Sequence, residues 1–251
     1  MKYLIDTHCH SLASGHAYST IQEIAKEANN KGLKMVAITD HGPLMPGGPH
    51  IFYIANQRVI PNKIYGVEIL KGVEANIIDY DGNLDIPERI IKALDFVIAS
   101  LHDVCLEPGN IDENTRGIMR AMENPFVDAI AHPGNPNFPI HMEAVVLKAK
   151  ETDTLIEINN SSLQHKGSRA GSLENCINIA KLCKEHNVSI TVGSDAHISF
   201  AVGKFDKAIE ILSNINMPKE LIMNLDPDKF KHYLQSKGKI RFMESSRSPK
   251  V

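Results

Sequence analysis

Tryptophan is absent from the 251 residues, and the four cysteines, at positions 9, 105, 176 and 183, form no CxxC pair. Such sparse thiols argue against a disulfide framework and fit a reducing cytoplasm. Cys176 and Cys183, seven apart, suit one packed face of a helix. No apolar run approaches the ~20 residues a membrane span needs. The opening MKYLIDTHCHS also lacks the apolar stretch of a secretory leader, so no membrane partner is expected. Net charge is only −3, from 27 basic and 30 acidic residues interspersed along the chain, so no basic patch offers itself to long nucleic acid. Neither GxGxxG nor GxxxxGK[ST] follows the first strand candidate, which weakens the case for a nucleotide-binding open sheet.

What is present is an ordinary globular composition, 43% apolar and 23% charged. Short β-branched runs at 3–7, 34–39, 68–73, 95–100, 127–131, 154–158 and 188–193 read as strands buried on both faces. Helical patterns fill the gaps. Thr20 and Glu23 form a capping box ahead of Ile21, Ile24, Ala25 and Ala28, and Gly32 stops that helix. Asp85 is placed to cap a helix over 86–93, and Asp112 to open the next. Further helices are expected over 142–151, 172–186 and 204–213. Seven alternating β-α units imply a parallel sheet, and this length favours closure into a TIM-like barrel. No repeat or linker divides residues 1–251, which read as a single barrel domain with a polar tail from about Met243.

The histidines and carboxylates fall where such a barrel builds its site. His8 and His10 end the first strand candidate, Asp40 and His41 the second, Glu74 the third, His102 the fourth and His132 the fifth. Asp195 and His197 end the seventh, and His16 follows in the loop after the first. Active sites assemble at this carboxyl end. Imidazole mixed with carboxylate suits zinc, manganese or iron better than calcium. The donors outnumber the needs of one ion, and a bridging carboxylate such as Glu74 could hold two. His141, His165, His186 and His232 fall on loops or helix surfaces, while His50, in a glycine- and proline-rich loop, is left without a role. Asp40 and Asp103 adjoin ligands and are candidate acceptors for imidazole N–H groups.

The series THCHS (7–11), His16, TDHG (39–42), GVEAN (72–76), SLHD (100–103), AHPGN (131–135) and GSDAH (193–197) resembles the polymerase-and-histidinol-phosphatase (PHP) family. The loop HGPLMPGGPHIFY and the segment EINNSSLQHKGSRAGSLENC resemble its YcdX-like phosphatase branch. The resemblance implies an α/β fold, a distorted seven-stranded (β/α)7 barrel, and phosphoester hydrolysis at three divalent ions, zinc favoured, with manganese or iron as alternatives. Carried over, His8, His10, Glu74 and Asp195 would hold the first ion, Glu74, His102 and His132 the second, and His16, His41 and His197 the third. Glu74, Asp195 and His197 are the residues expected to carry catalysis, through a metal-bridged hydroxide attacking a small phosphate monoester. Lys166 and Arg169, after the sixth strand, are candidate phosphate contacts.

Two rival readings stand beside this one. A TatD-like metal-dependent deoxyribonuclease or amidohydrolase barrel also opens on HxH, but it has eight strands and no need of His41 or His197. A non-catalytic metal-binding protein is opposed by the intact ligand series. A homo-oligomer is compatible with the sequence and is not specified by it.

Overall fold

The computed structural model describes residues 2–163 and 169–244. In chain order the elements are β1 (Ile5–Asp6), α1 (Ile21–Asn30), β2 (Met35–Ile38), α2 (Ile51–Ala55), β3 (Lys63–Ile64), β4 (Val67–Asn76), α3 (Glu88–Ile91), β5 (Phe96–Ser100) and α4 (Ile111–Met122). They continue with β6 (Ala129–Ile130), α5 (Met142–Thr152), β7 (Leu155–Asn159), α6 (Ser172–His186), β8 (Ile190–Gly193), α7 (Asp206–Asn214), α8 (Pro227–Ser236) and α9 (Ile240–Glu244). The seven expected strands are all present and pair in parallel in the order β1-β2-β4-β5-β6-β7-β8; β3 adds only a short antiparallel pairing to β4. The result is a nearly closed, distorted (β/α)7 barrel.

The seam between β1 and β8 explains the distortion. At the carboxyl end Cys9 pairs with Ala196, with Asp195 N–H donating to His8 O and His10 N–H to Ala196 O, each at 2.9 Å. At the amino end the strands part, and buried Asn224 fills the gap. Its amide donates to Ile5 O (2.9 Å) and Val192 O (2.8 Å), and its Oδ1 accepts from Val192 N–H (2.7 Å). A side chain thus replaces ladder bonds that a closed sheet would have made.

Inside the barrel the strands change character along their length. Leu70, Phe96, Ile98 and Leu155 belong to an apolar layer at the amino end, which Phe230, Tyr233 and Leu234 of α8 close from below. The period of two then carries β4 to Glu74 and Asn76, β5 to Ser100, and β7 to Glu157 and Asn159, all buried. The barrel is therefore a hydrophobic plug beneath a polar floor. The opposite strand faces (Val36, Ile38, Ile69, Ile156, Ile158, Val192) pack outward with Ile24, Ile118, Val146 and Ile179 of the surrounding helices.

Helix ends follow local chemistry, with two corrections. Thr20 and Glu23 do form the expected capping box on α1. Asp85 does not cap a helix: α3 starts after Pro87 without a side-chain cap, because both Asp85 oxygens are engaged by Asn76 and by Leu44 N–H. Likewise Asn110, paired with Glu113, caps α4, and Asp112 lies within its first turn. No helix among the described residues is long and apolar enough to cross a membrane.

Candidate metal centre

Loops at the carboxyl ends of β1, β2, β5, β6 and β8, together with Glu74 near the end of β4, deliver nine side chains to one mouth. His8, His10, His41, Glu74, His102, His132 and Asp195 are buried, His197 is partly buried and His16 is exposed. His132 and Asp195 hold φ of 35° and 54°, a left-handed backbone that non-glycine residues seldom adopt, and one that tends to mark functional sites.

Donor spacing is the most specific feature. His8 Nε2 and His10 Nε2 are 3.0 Å apart. Glu74 Oε2 lies 3.4 and 3.5 Å from those two nitrogens, and Asp195 Oδ1 lies 3.6 and 3.2 Å from them. Four donors around one ion at bonds of about 2.0–2.1 Å stand about 3.3 Å apart. These spacings about the two histidines match the edges of a first-row metal tetrahedron, and the His8, His10 and Glu74 donors lie within 4.8 Å of one another. Two further sets have donor atoms within 4.8 Å of one another: His41 with Glu74 and His102, and His10 with His41 and His197. His132 Nε2 meets Glu74 Oε1 at 2.8 Å. His16 stacks on His41, ring centroids 5.0 Å apart, and lies 4.8 Å from the His197 ring.

Three buried polar atoms in this cluster make no hydrogen bond: His41 Nδ1, Glu74 Oε2 and His102 Nε2. His41 Nδ1 and Glu74 Oε2 are only 2.8 Å apart, yet their directions do not suit a hydrogen bond. Orphaned donors and acceptors are costly in a protein interior. Here the three residues bring donor atoms within 4.8 Å of one another, as ligands do around a shared cation, so they fit a group of divalent metals.

The remaining ring nitrogens are tied back. His8 Nδ1 meets Glu157 Oε1 at 2.8 Å, and His132 N–H donates to Glu157 Oε2 at 2.8 Å. His102 Nδ1 meets Asn76 Oδ1 at 2.8 Å, and Asn76 is gripped in turn by Asp85. His10 Nδ1 meets Ser14 Oγ at 3.0 Å, and Ser14 donates to Asp40 Oδ1 at 2.7 Å. His197 Nδ1 faces the Asp195 carbonyl at 3.0 Å. Such partners fix tautomer and ring angle, leaving Nε2 for metal. Asp40 therefore acts on His10 through a serine rather than directly. Asp103 is exposed, and Asn76 stands where a carboxylate was expected.

Protonation suits the same task. Burial, with His41, His197 and His8 close by, holds His10 well below the usual imidazole range despite its bond to Asp195. Burial, aided by the Arg169 guanidinium, pushes His132 down to about 4. Burial, with His197 and His41 near, also lowers His16. Burial alone would raise Glu74 and Asp195. Imidazoles around the first, and His8 with Arg169 beside the second, instead keep both well below ordinary carboxyl values. His8 is the exception: burial favours its neutral form, but Glu157, Asp195 and Glu74 raise it well above the usual value, so an incoming ion must displace its proton.

Arg169, predicted as a phosphate contact, sits in the centre, its Nη1 donating to Asp195 Oδ2 at 2.8 Å and to Ser162 Oγ at 3.2 Å. Lys166 and His165 lie outside the described residues. His50 caps α2, accepting from Phe52 N–H. His141 and His186 pair with Asp112 and Glu143 at the surface, and His232 with the Asp228 carbonyl. Sequence reasoning passed over Glu157, Ser14, Asn76 and Tyr53. Glu157 left a signal, a lone acid inside the apolar run TLIEI, which a buried strand tolerates only when the charge is paired.

The PHP domain family model matches residues 6–237. A "Probable phosphatase" of Clostridium novyi is 58% identical over 241 residues, 96% of this chain and 98% of that protein. One from Acetivibrio thermocellus is 54% identical over 237 residues, 94% of this chain and 97% of its own. Among solved structures, the histidinol phosphate phosphatase of Lactococcus lactis, complexed with zinc, L-histidinol and phosphate, superposes with a TM-score of 0.57 at 16% identity, covering 86% of this chain and 95% of that one. At that identity the likeness is one of fold.

Proposed function

The chain belongs to the PHP domain family, and on that premise we propose that it hydrolyses a small phosphate monoester at a centre of three divalent ions. It is a metal-dependent phosphatase; the monoester and the count of three are the finer reading. The observation that carries this reading is the His8–His10 pair, its Nε2 atoms 3.0 Å apart and each 3.2–3.6 Å from Glu74 and Asp195 oxygens, with two more donor sets sharing these members. Glu74 would bridge the first ion to one held with His102 and His132. His41 and His197 would hold the third, with exposed His16 completing it from the solvent side. Zinc fits a small set of imidazole and carboxylate donors, with manganese or iron as alternatives.

Ions bound there would supply hydroxide near neutral pH and take up charge on the phosphoryl oxygens. The chain's own residues do the rest. Glu74 and Asp195 stay ionised and set the donor geometry, and Glu157, Asn76 and Ser14 aim the imidazoles. Arg169 holds Asp195 and Ser162 by one nitrogen, and its remaining N–H groups would fork onto a phosphate. His197, with its Nδ1 tied to a carbonyl, would offer Nε2 to an ion shared with His10 and His41. The small-ester reading rests on the histidine-lined mouth, and on the histidinol phosphate phosphatase with the same fold.

The test is a comparison of 4-nitrophenyl phosphate with bis(4-nitrophenyl) phosphate on protein whose metal content is measured by elemental analysis. The expected result is monoester turnover, lost with chelator and restored by zinc or manganese, at close to three ions per chain. A preference for the diester, or full activity with one ion, would overturn it.

A further inference from the structure

A cleft of about 220 Å³ opens on the outside of the barrel between the α2 region and α3. Its floor is apolar. Ile54, Ile90 and Leu94 belong to a separate buried cluster beneath it with Val73, Ile86 and Val97. Its polar lining is of one sign: Arg58 and Arg89 stand exposed, half-buried Lys71 lies between the helices and the sheet, and no carboxylate lines the cleft. Among the described residues neither guanidinium has an acidic partner. The Lys71 ammonium donates to the neutral Asn62 Oδ1 at 2.7 Å, while Asp95 is taken by Arg241 at 2.7 Å and by the Lys71 backbone N–H at 3.0 Å. Three cations around one apolar hollow repel one another until an anion joins them.

Gln57 narrows the chemistry. It lines the same cleft, and its Nε2 donates to Gly72 O at 2.8 Å, which fixes the amide's orientation. Its Oε1 is buried and has no hydrogen-bond partner. A ligand bringing an O–H or N–H to that oxygen would remove a cost the free protein bears.

We propose that this cleft is a second binding site, separate from the metal centre, for a small organic anion with an apolar body and a hydrogen-bond donor. The anionic end pairs with Arg58 and Arg89, the body covers Ile54, Ile90 and Leu94, and the donor meets Gln57. Guanidinium forks suit carboxylate and phosphate alike.

The test is isothermal titration of 4-hydroxybenzoate, which carries all three features, into the zinc-loaded protein. One-to-one saturable binding is expected. The R58A/R89A double variant should weaken it by about tenfold or more. Ala93→Phe, which fills the cleft from an exposed rim position without removing charge, should weaken it too. Both variants should keep wild-type circular dichroism and phosphatase turnover. Benzyl alcohol, lacking the carboxylate, should bind at least as weakly as 4-hydroxybenzoate does to the double variant. Absence of saturable binding, or an affinity unchanged in both variants, would overturn the proposal.

Discussion

Glu157 reaches His8 because residue 193 has no side chain. A Cβ built on Gly193 would lie 2.0 Å from Glu157 Oε1 and 2.5 Å from His8 Cβ. The carboxylate could swing aside, but the His8 Cβ is rigidly attached to β1's end, so Gly193→Ala must part the pair. Glu157→Gln keeps the size and removes the charge that orients the imidazole. Both substitutions should lower metal affinity or turnover by about 10–100-fold while the fold survives, read by zinc competition titration alongside circular dichroism. Wild-type affinity in both would mean that Glu157 is only a strand-packing residue. The candidate ligands were legible in the sequence, since all but His16 end a recognisable strand. Glu157, Ser14 and Asn76 were not, because a side chain that aims a ligand is defined by a partner far off in sequence: Glu157 and His8 are 149 residues apart.

The segment after β2 shows how an element is held by the site it borders. Near its start Leu44 N–H donates to Asp85 at 3.0 Å, and Asp85 grips the Asn76 that holds His102. Just past its end Tyr53 Oη donates to Asp40 Oδ2 at 2.8 Å, and Asp40 accepts from the Ser14 that meets His10. Two carboxylates thus fasten both the segment and two candidate ligands. Burial, with Asp40 beside it, pushes the Tyr53 hydroxyl well above the usual phenol range, so it remains a donor at any working pH. Tyr53→Phe should therefore cost about 1.5–3 kcal/mol of stability, as for other hydrogen bonds to charged groups. It should also speed zinc loss to a chelator, measured by stopped-flow with a chromogenic dye. A variant as stable as wild type and equally slow to release metal would uncouple the segment from the centre. The barrel strands and the helices between them were readable from periodicity, but α8, a ten-residue helix past the last expected one, was passed over; α2 was missed as well, being five residues between a proline-rich loop and a 3-10 turn, too short for a helical pattern to emerge.

At the scale of the whole molecule, parallel alternation announced a barrel, but nothing in the pattern announced how it closes. Asn224 lies in a stretch with no strand signal, and its role exists only because β1 and β8 diverge there. Asn224→Ala would leave Val192 N–H without its bond, together with the amide's contacts to the Ile5 and Val192 carbonyls. It should cost about 3 kcal/mol in denaturant unfolding; a loss near zero would mean the seam re-pairs by itself.

The amino end carries a second such dependence, far from the chemistry. Lys239, 1% exposed, meets fully buried Asp128 at 2.6 Å and donates to Phe126 O at 3.0 Å, pinning the start of α9 beneath β6. Asp128 Oδ2 also accepts from Val97 N–H at 2.7 Å, while Oδ1 has no partner. Burial raises the Asp128 carboxyl above its ordinary value even with Lys239 opposing the shift. Lys239→Met removes the opposing charge and leaves a buried carboxylate alone, which should cost about 3–5 kcal/mol at neutral pH. With the folded pKa above the unfolded one, stability from this group is present at low pH and lost as pH rises through the folded value. The penalty in Lys239→Met should therefore shrink as pH falls below neutral, and Asp128→Asn in the same background should recover most of it at pH 7. Metal content should not change in either variant, because the apolar layer of Leu70, Phe96 and Leu155 separates this end from the histidines. A penalty independent of pH would show that Lys239 contributes by packing its stem rather than by its charge.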